Sequence, residues 1–405
     1  MASGVAHRAT RRASGGPRLR SRDRGHRQAS WGELFYDLVY VVTVGQIAHI
    51  LVEEQTVEAV LRALVLFVIV WWAWANEVLY STRFDQDTDR ARRLLGTAQL
   101  VALALLAAAI ARDDSNDTRV IAAAYAMVRT LQVVELWRAG RWVPEAGPLV
   151  RHYTRWHGAA VLLWWVGMPL PEPWCFVLWT AGFVVGVAAV VTGTRFDREF
   201  PPHVAHLPER FGLFVILVLG ESFFGLVTGS AALPLTVEST VVVVLAVVMA
   251  VAMWWIYFDR LDEEAVRALA DPSTARSRPF VIWFFAHLPL GAGLLAAGAG
   301  IEKVLHQAEA HTHHVAPPAI LVGGVTLYVL AEAVVCTTAV GAGPPELRVT
   351  RGVAIRLAAV AALLVVAAVA MQWTEPLLTF LLVDLVLGAV VLLDYVFQRR
   401  AGLIA

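Results

Sequence analysis

Residues 206–223 read HLPERFGLFVILVLGESF. The stretch opens on Glu209 and Arg210, runs apolar from Phe211 to Gly220, and then meets a second carboxylate, Glu221, with Ser222 beside it. Apolar residues resume at once. A helix of about 20 such residues spans the roughly 30 Å of hydrocarbon in a bilayer. The stretch therefore predicts a transmembrane helix with an acid inside its apolar layer, where an ionised group costs about 2.5–3.5 kcal/mol on insertion scales.

The rest of the chain repeats this pattern. Of its 405 residues, 58% are hydrophobic and 16% charged, against about 25% charged in ordinary soluble domains. Lys+Arg and Asp+Glu both number 33, so net charge singles out no partner. Twelve apolar segments follow one another, at about 32–51, 57–80, 94–111, 119–138, 153–169, 174–193, 210–229, 237–257, 280–302, 318–340, 352–371 and 377–397. The fifth is the weakest, because Arg155 and His157 sit near its start. Cys175 and Cys336 fall inside apolar segments and read as small core residues.

The loops orient the spans. Lys and Arg gather on the cytoplasmic side of a membrane protein. The even-numbered loops hold Arg83, Arg90, Arg92 and Arg93, then Arg138, Arg141 and Arg151, then Arg195 and Arg198, then Arg260, Arg267, Arg276 and Arg278, then Arg348 and Arg351. The odd-numbered loops are nearly free of basic residues. One misplaced span would invert every later loop, so the alternation predicts that both termini are cytoplasmic. Residues 1–30 carry Arg8, Arg11, Arg12, Arg18, Arg20, Arg22, Arg24 and Arg27 with one acid, Asp23. No apolar stretch of signal-peptide kind precedes Trp31. This segment reads as a disordered basic cytoplasmic tail, and it lacks the interleaved aromatics of a nucleic-acid binder. The chain is thus expected to be an all-α integral membrane protein of the inner or plasma membrane, with the lipid bilayer as its first partner.

Two halves resemble one another. ELFYDLVYVVTVG begins at Glu33 and ERFGLFVILVLGE at Glu209; a helix later come Trp71-Trp72 and Trp254-Trp255; at the sixth helix come Glu172-Pro173 and Glu375-Pro376. The order is kept while the loops differ. About twelve helices then form two parallel six-helix repeats, 31–200 and 201–400, related by an axis along the membrane normal. Glu33, Glu209 and Arg210 stand at the mouths of the two repeats.

These residues also carry a family resemblance. WGELFYDLVYVVTVGQIAHIL (31–51), WWAWANEVLYSTRFDQDTDRARR (71–93), HLPERFGLFVILVLGESF (206–223), WWIYFDRLDEEAVRAL (254–269) and AHLPLGAGLLAAGAGIEK (286–303) resemble the bacterial low temperature requirement protein A family. The resemblance runs over roughly 30–400. Phe35-Tyr36-Asp37 stands where the family often has Phe-Phe-Asp, and Phe223 where it has Ile. The resemblance implies architecture more than activity. The layout is also similar to the lysosomal potassium channels built from six-helix units, although Leu213 replaces the acid in the second half.

Asp37, His49, Glu77, Arg129, Glu135, Glu221, His287, Glu332, Arg356 and Asp384 are ionisable residues inside apolar segments. Each has two readings, a register-fixing contact between helices or a polar pathway. Glu77, Glu135 and Arg356 lie near helix ends and are expected to snorkel to water. Asp37, His49, Arg129, Glu221 and His287 form the candidate intramembrane pathway. Glu221, about 18 Å deeper than Glu209, is expected to face His287 or Arg129, with Gly212, Gly220 and Gly225 allowing close approach of a neighbour. Arg129, in mid-helix, calls for an acid or carbonyl partner.

Enzyme signatures are thin. No GxSxG, P-loop or HExxH occurs, and no catalytic residue or cofactor is assigned. His306, Glu309, His311, His313 and His314 match no closed zinc spacing, so no metal site is assigned. The expected function is a transporter or channel for an unidentified small solute or ion, with no nucleic-acid partner; a homo-oligomer fits this layout. The alternatives are a membrane-embedded lipid-handling enzyme, using Asp85, Asp87 and Asp89, or a non-catalytic sensor or scaffold.

Overall fold

The computed structural model describes residues 17–19, 30–54, 56–85, 90–112, 117–200, 202–203, 206–231, 233–234, 236–259, 277–310, 316–338, 345–370 and 375–400. Among the described residues are twelve long helices. They are α1 (Trp31–Glu53), α2 (Val57–Ser81), α3 (Arg90–Ile110), α4 (Asp117–Trp142), α5 (Gly147–Gly167) and α6 (Trp174–Glu199), then α7 (His206–Ser230), α8 (Val237–Phe258), α9 (Ser277–Ala310), α10 (Ala316–Thr338), α11 (Pro345–Ala370) and α12 (Pro376–Arg400). Each expected apolar segment falls on one of them. Eleven are long and apolar enough to cross a membrane. The exception is α5, whose Arg151, His152, Arg155 and His157 dilute its apolar character. Its polar side chains are used by its neighbours instead: His157 meets Arg129 on α4, and His152 Nε2 lies 3.0 Å from the Ala189 carbonyl on α6.

Local chemistry sets the helix starts. At α1, Ser30 Oγ accepts from the Glu33 amide at 3.3 Å while Glu33 Oε2 accepts from the Ser30 amide at 2.8 Å. This reciprocal cap satisfies two backbone donors that the first turn leaves open. Thr236 and Ser239 build the same device at α8. Leu357, Leu364 and Val365 on α11 and Leu381, Leu385 and Leu392 on α12 are exposed, which suits hydrocarbon rather than water.

The chain forms two compact units, residues 1–28 with 72–207 and residues 29–71 with 208–405. In the first, α3 packs on α4, α4 on α5 and α5 on α6. Its core includes stacked Trp164 and Trp179, with ring centroids 5.8 Å apart. The expected basic tail lies outside the described residues except at Ser30, which caps α1, and at 17–19, where Arg18–Leu19 (β1) pair antiparallel with Phe84–Asp85 (β2).

In the second unit, α1 packs on α9, α9 on α10, α10 on α11, α11 on α12, and α12 on α8. Phe211 meets Trp283 at 4.9 Å, and Trp71 meets Phe284 at 5.4 Å. The α9–α10 crossing is close: a methyl group at Gly324 would lie 2.4 Å from the Ala297 amide nitrogen. Only glycine at this position permits that approach.

The snorkelling expected of Glu77, Glu135 and Arg356 is not found. Arg92 binds both Glu77 and Glu135, the latter at 2.6 Å, and the two carboxylates are 3% and 1% exposed. Arg356, 0% exposed, lies 3.4 Å from Glu332 and 3.0 Å from Asp394. Nearness to a helix end gives depth along the chain, but a neighbouring helix supplies the partner charge before water does.

Candidate functional site

Two contacts show how α1 and α7 lie together. Arg210 on α7 reaches Asp37 on α1, and Glu221 on α7 reaches Gly45 on α1. Both positions rise along both chains, so the helices run side by side in the same direction.

At their N-terminal ends stands a buried ion pair. Arg210 and Asp37 are both 0% exposed, and the guanidinium donates to Asp37 Oδ1 at 2.6 Å. Its other terminal nitrogen lies 3.5 Å from Glu33 Oε1, the carboxylate that also caps α1. Burying charge in an apolar bundle costs several kcal/mol per ion unless a partner and hydrogen bonds offset it. Here one arginine serves two acids, and each acid sits where the helix i, i+4 spacing places it on the face toward α7. Of the expected mouth residues, Glu33 and Arg210 therefore join Asp37. Glu209 is half-buried one position before Arg210.

Farther along the same pair the arrangement changes. A cavity of about 220 Å³ lies between α1, α7 and α9. Its polar wall is Gln46 and His49 from α1, Glu221 and Ser222 from α7, and Glu302 from α9; Val218 and Leu295 are among the apolar residues that complete it. Glycines make the room. A methyl group at Gly45 would lie 2.6 Å from Glu221 Oε1, and one at Gly298 would lie 2.6 Å from Ser222 Oγ. Glu302 is held by Thr228, whose hydroxyl donates to it at 2.9 Å. Ser222 is 1% exposed, and its hydroxyl has no hydrogen-bond partner. A buried polar group without a partner is uncommon in a folded chain. No Lys or Arg lines the cavity.

The structure thus brings Glu221 and His49 to one cavity but separates them from two of the expected companions. His49 sits at the rim, its side chain 60% exposed and 3.7 Å from Glu53. His287 does not face Glu221. It is 2% exposed, its Nδ1–H donates to the Trp283 carbonyl at 2.7 Å, and Tyr257 donates to Nε2 at 3.0 Å. Both ring nitrogens are satisfied, and the rings of Phe211 and Trp283 close round it. Arg129 belongs to the other unit. It donates to Gln132 Oε1 at 2.6 Å and approaches His157 Nδ1 at 3.1 Å, and Gln132 in turn donates to the Ala73 carbonyl.

Glu302 is the residue that sequence reasoning missed. It fell at the edge of the ninth apolar segment and read as a terminus. The available signal was helical spacing: Leu295, Gly298 and Glu302 recur at i, i+3, i+7 and so share a face. Among the described residues no three His, Cys, Asp or Glu side chains form a metal-holding group. Of the loop histidines only His306 is described; His311, His313 and His314 lie outside the described residues, as do Asp87 and Asp89.

The family model described as "Bacterial low temperature requirement A protein" matches residues 28–392. A protein of Rhizobium meliloti (strain 1021) described as uncharacterized is 25% identical over 291 residues, which is 70% of this chain and 71% of that protein. No solved structure matches.

Proposed function

The chain belongs to the bacterial low temperature requirement A family and is a multi-pass membrane protein; on that premise we propose that it is a transporter or channel for a small solute or ion. The observation that carries this reading is the cavity between α1, α7 and α9. It sets Glu221, Glu302 and an unpartnered Ser222 hydroxyl beside one another within apolar helices. Polar groups are retained at that depth in proteins that pass something through.

The Arg210–Asp37 pair closes the same helix pair at its N-terminal end. With both termini cytoplasmic, this end faces the cytoplasm and the cavity lies toward the outside. The parallel run of α1 and α7 supports a two-repeat reading, since these are the first helices of the two six-helix segments. In such proteins solute sites lie where repeats meet, and access alternates as one element rocks against another.

The test is flux. Proteoliposomes of the full chain should pass at least one of Na⁺, K⁺, ammonium or methylammonium above protein-free vesicles, and Glu221→Gln should lose that flux while folding normally. Absence of flux for all four would end the reading. Orientation is checked separately. Cysteine at Ala231 should react with an impermeant thiol reagent on intact cells, and cysteine at Arg400 should not; reversed labelling would invert the scheme.

A further inference from the structure

The cavity that carries the transport reading also has a chemistry of its own. We propose that it binds a primary ammonium group on a small organic molecule, with Glu221, Glu302 and Ser222 as its three acceptors. The inference rests on the transport reading for its site and adds the substrate class.

Charge is the first argument. Two carboxylates and no Lys or Arg line the cavity. Like charges facing one cavity in an apolar bundle repel, and a cation between them relieves the repulsion. The second argument is independent of the acids. Ser222 is 1% exposed, its hydroxyl has no partner within the protein, and it is turned toward Gly298 on the facing wall. Ser222 lines the cavity, and its hydroxyl, packed against Gly298, reaches an occupant by a turn of χ1 and is completed by it.

Size and donor number then select the cation. A dehydrated divalent ion needs about six or more oxygen ligands, and the described residues contain no group of three His, Cys, Asp or Glu side chains that could hold one. A bare alkali ion fills little of about 220 Å³, which is room for roughly seven waters at about 30 Å³ each. A primary ammonium has three N–H donors and no acceptor. It matches two carboxylates and one hydroxyl donor for acceptor, and charge-assisted hydrogen bonds of this kind are the strong ones. Val218 and Leu295 offer apolar surface to a short carbon chain.

The experiment is calorimetric titration of the purified full chain with n-butylammonium chloride at constant ionic strength. Tetramethylammonium, which has no N–H, and K⁺ serve as competitors. Butylammonium should bind saturably, and neither competitor should displace it at equal concentration. Glu302→Gln and Ser222→Ala should each weaken binding by about tenfold, the loss of one hydrogen bond to a charged group. Ser222→Ala removes a hydroxyl that no protein group uses, so it folds even if Glu302→Gln does not. Equal binding of K⁺ or tetramethylammonium, or unchanged affinity in Ser222→Ala, would overturn the assignment. Amine binding without flux sustains this inference and removes the transport reading. Ion flux without amine binding does the reverse.

Discussion

At the N-terminal ends of α1 and α7 a carboxylate meets an arginine. Eight residues farther along α1 and eleven farther along α7, a carboxylate meets a glycine and open space. The same two helices thus hold two acids in opposite ways, one buried and one half-buried. Asp37 has Arg210 at 2.6 Å and no exposure. Glu221 borders a cavity with another acid across it and no cation. The first arrangement neutralises charge within the fold and fixes helix register. The second leaves charge to be neutralised from outside the chain, which is what a binding site requires. An intramembrane acid alone therefore says little; the partner decides between scaffold and site.

The sharpest way to break the comparison is to remove the cation from the closed end. Arg210→Met leaves buried Asp37 without that guanidinium. Folding stability should fall by about 3–5 kcal/mol, the usual result of removing one member of a buried pair. Arg210→Met combined with Asp37→Leu should recover most of the loss, since replacing both charges by apolar groups is often near neutral. Thermal unfolding in detergent reads both. If the single variant is as stable as the wild type, the pair is not structural and the two ends are not different in kind.

A smaller effect is expected from filling the space beside Glu221. Gly45→Ala places a methyl group 2.6 Å from Glu221 Oε1, so the carboxylate must move. The cavity gives it somewhere to go, so the stability loss should stay at about 1 kcal/mol, the low end for overpacking. Flux in proteoliposomes should fall several-fold. A large loss of stability with normal flux would show that Glu221 is held as rigidly as Asp37.

Glu221→Gln should change stability less again, by under about 1 kcal/mol, because it keeps size and hydrogen bonding and removes a charge that no arginine at the cavity offsets. Flux should still be lost. Normal flux with a marked drop in unfolding temperature would make Glu221 a contact between helices and remove the contrast.

Much of this was legible in the sequence, and the limits have physical causes. Helices of about 20 apolar residues announce themselves because hydrocarbon has a fixed thickness. All twelve expected segments lie on helices, and even the doubtful fifth is helical, its histidines occupied by α4 and α6. The grouping of Glu33, Asp37 and Arg210 was half visible, since both motifs begin a segment in the same way. What a sequence does not carry is which face meets which neighbour. That is why Glu77, Glu135 and Arg356 read as snorkelling, why His287 was assigned to Glu221, and why Glu302 passed unnoticed. Depth along one helix follows from residue number, whereas pairing depends on the rotation of two helices about their axes.

The smallest effect concerns an acid outside the membrane-spanning segments. Asp259 follows α8 directly, and burial, then the nearby charge of Asp394, pushes its carboxyl above the ordinary value. Asp394 in turn is 3.0 Å from Arg356, so the arginine is already engaged and Asp259 meets a like charge. A carboxyl whose value is raised on folding favours the folded state while protonated. That contribution is fully present below the ordinary carboxylate value of about 4 and is lost as pH rises through the raised one. Asp259→Asn does not ionise and loses nothing over that window. The variant should therefore match the wild type in acid and become slightly the more stable as pH rises, with the difference levelling off once the wild-type acid is ionised. Because Asp259 is mostly solvated, screening keeps the gain small, well below the effects at Arg210 or Gly45. Unfolding temperatures of both proteins across a pH series measure it. A gain that is constant at every pH would assign the effect to the amide's own contacts rather than to charge. A loss at neutral pH would mean that Asp259 is held by an attractive partner, as Asp37 is, rather than standing against a like charge, as Glu221 does.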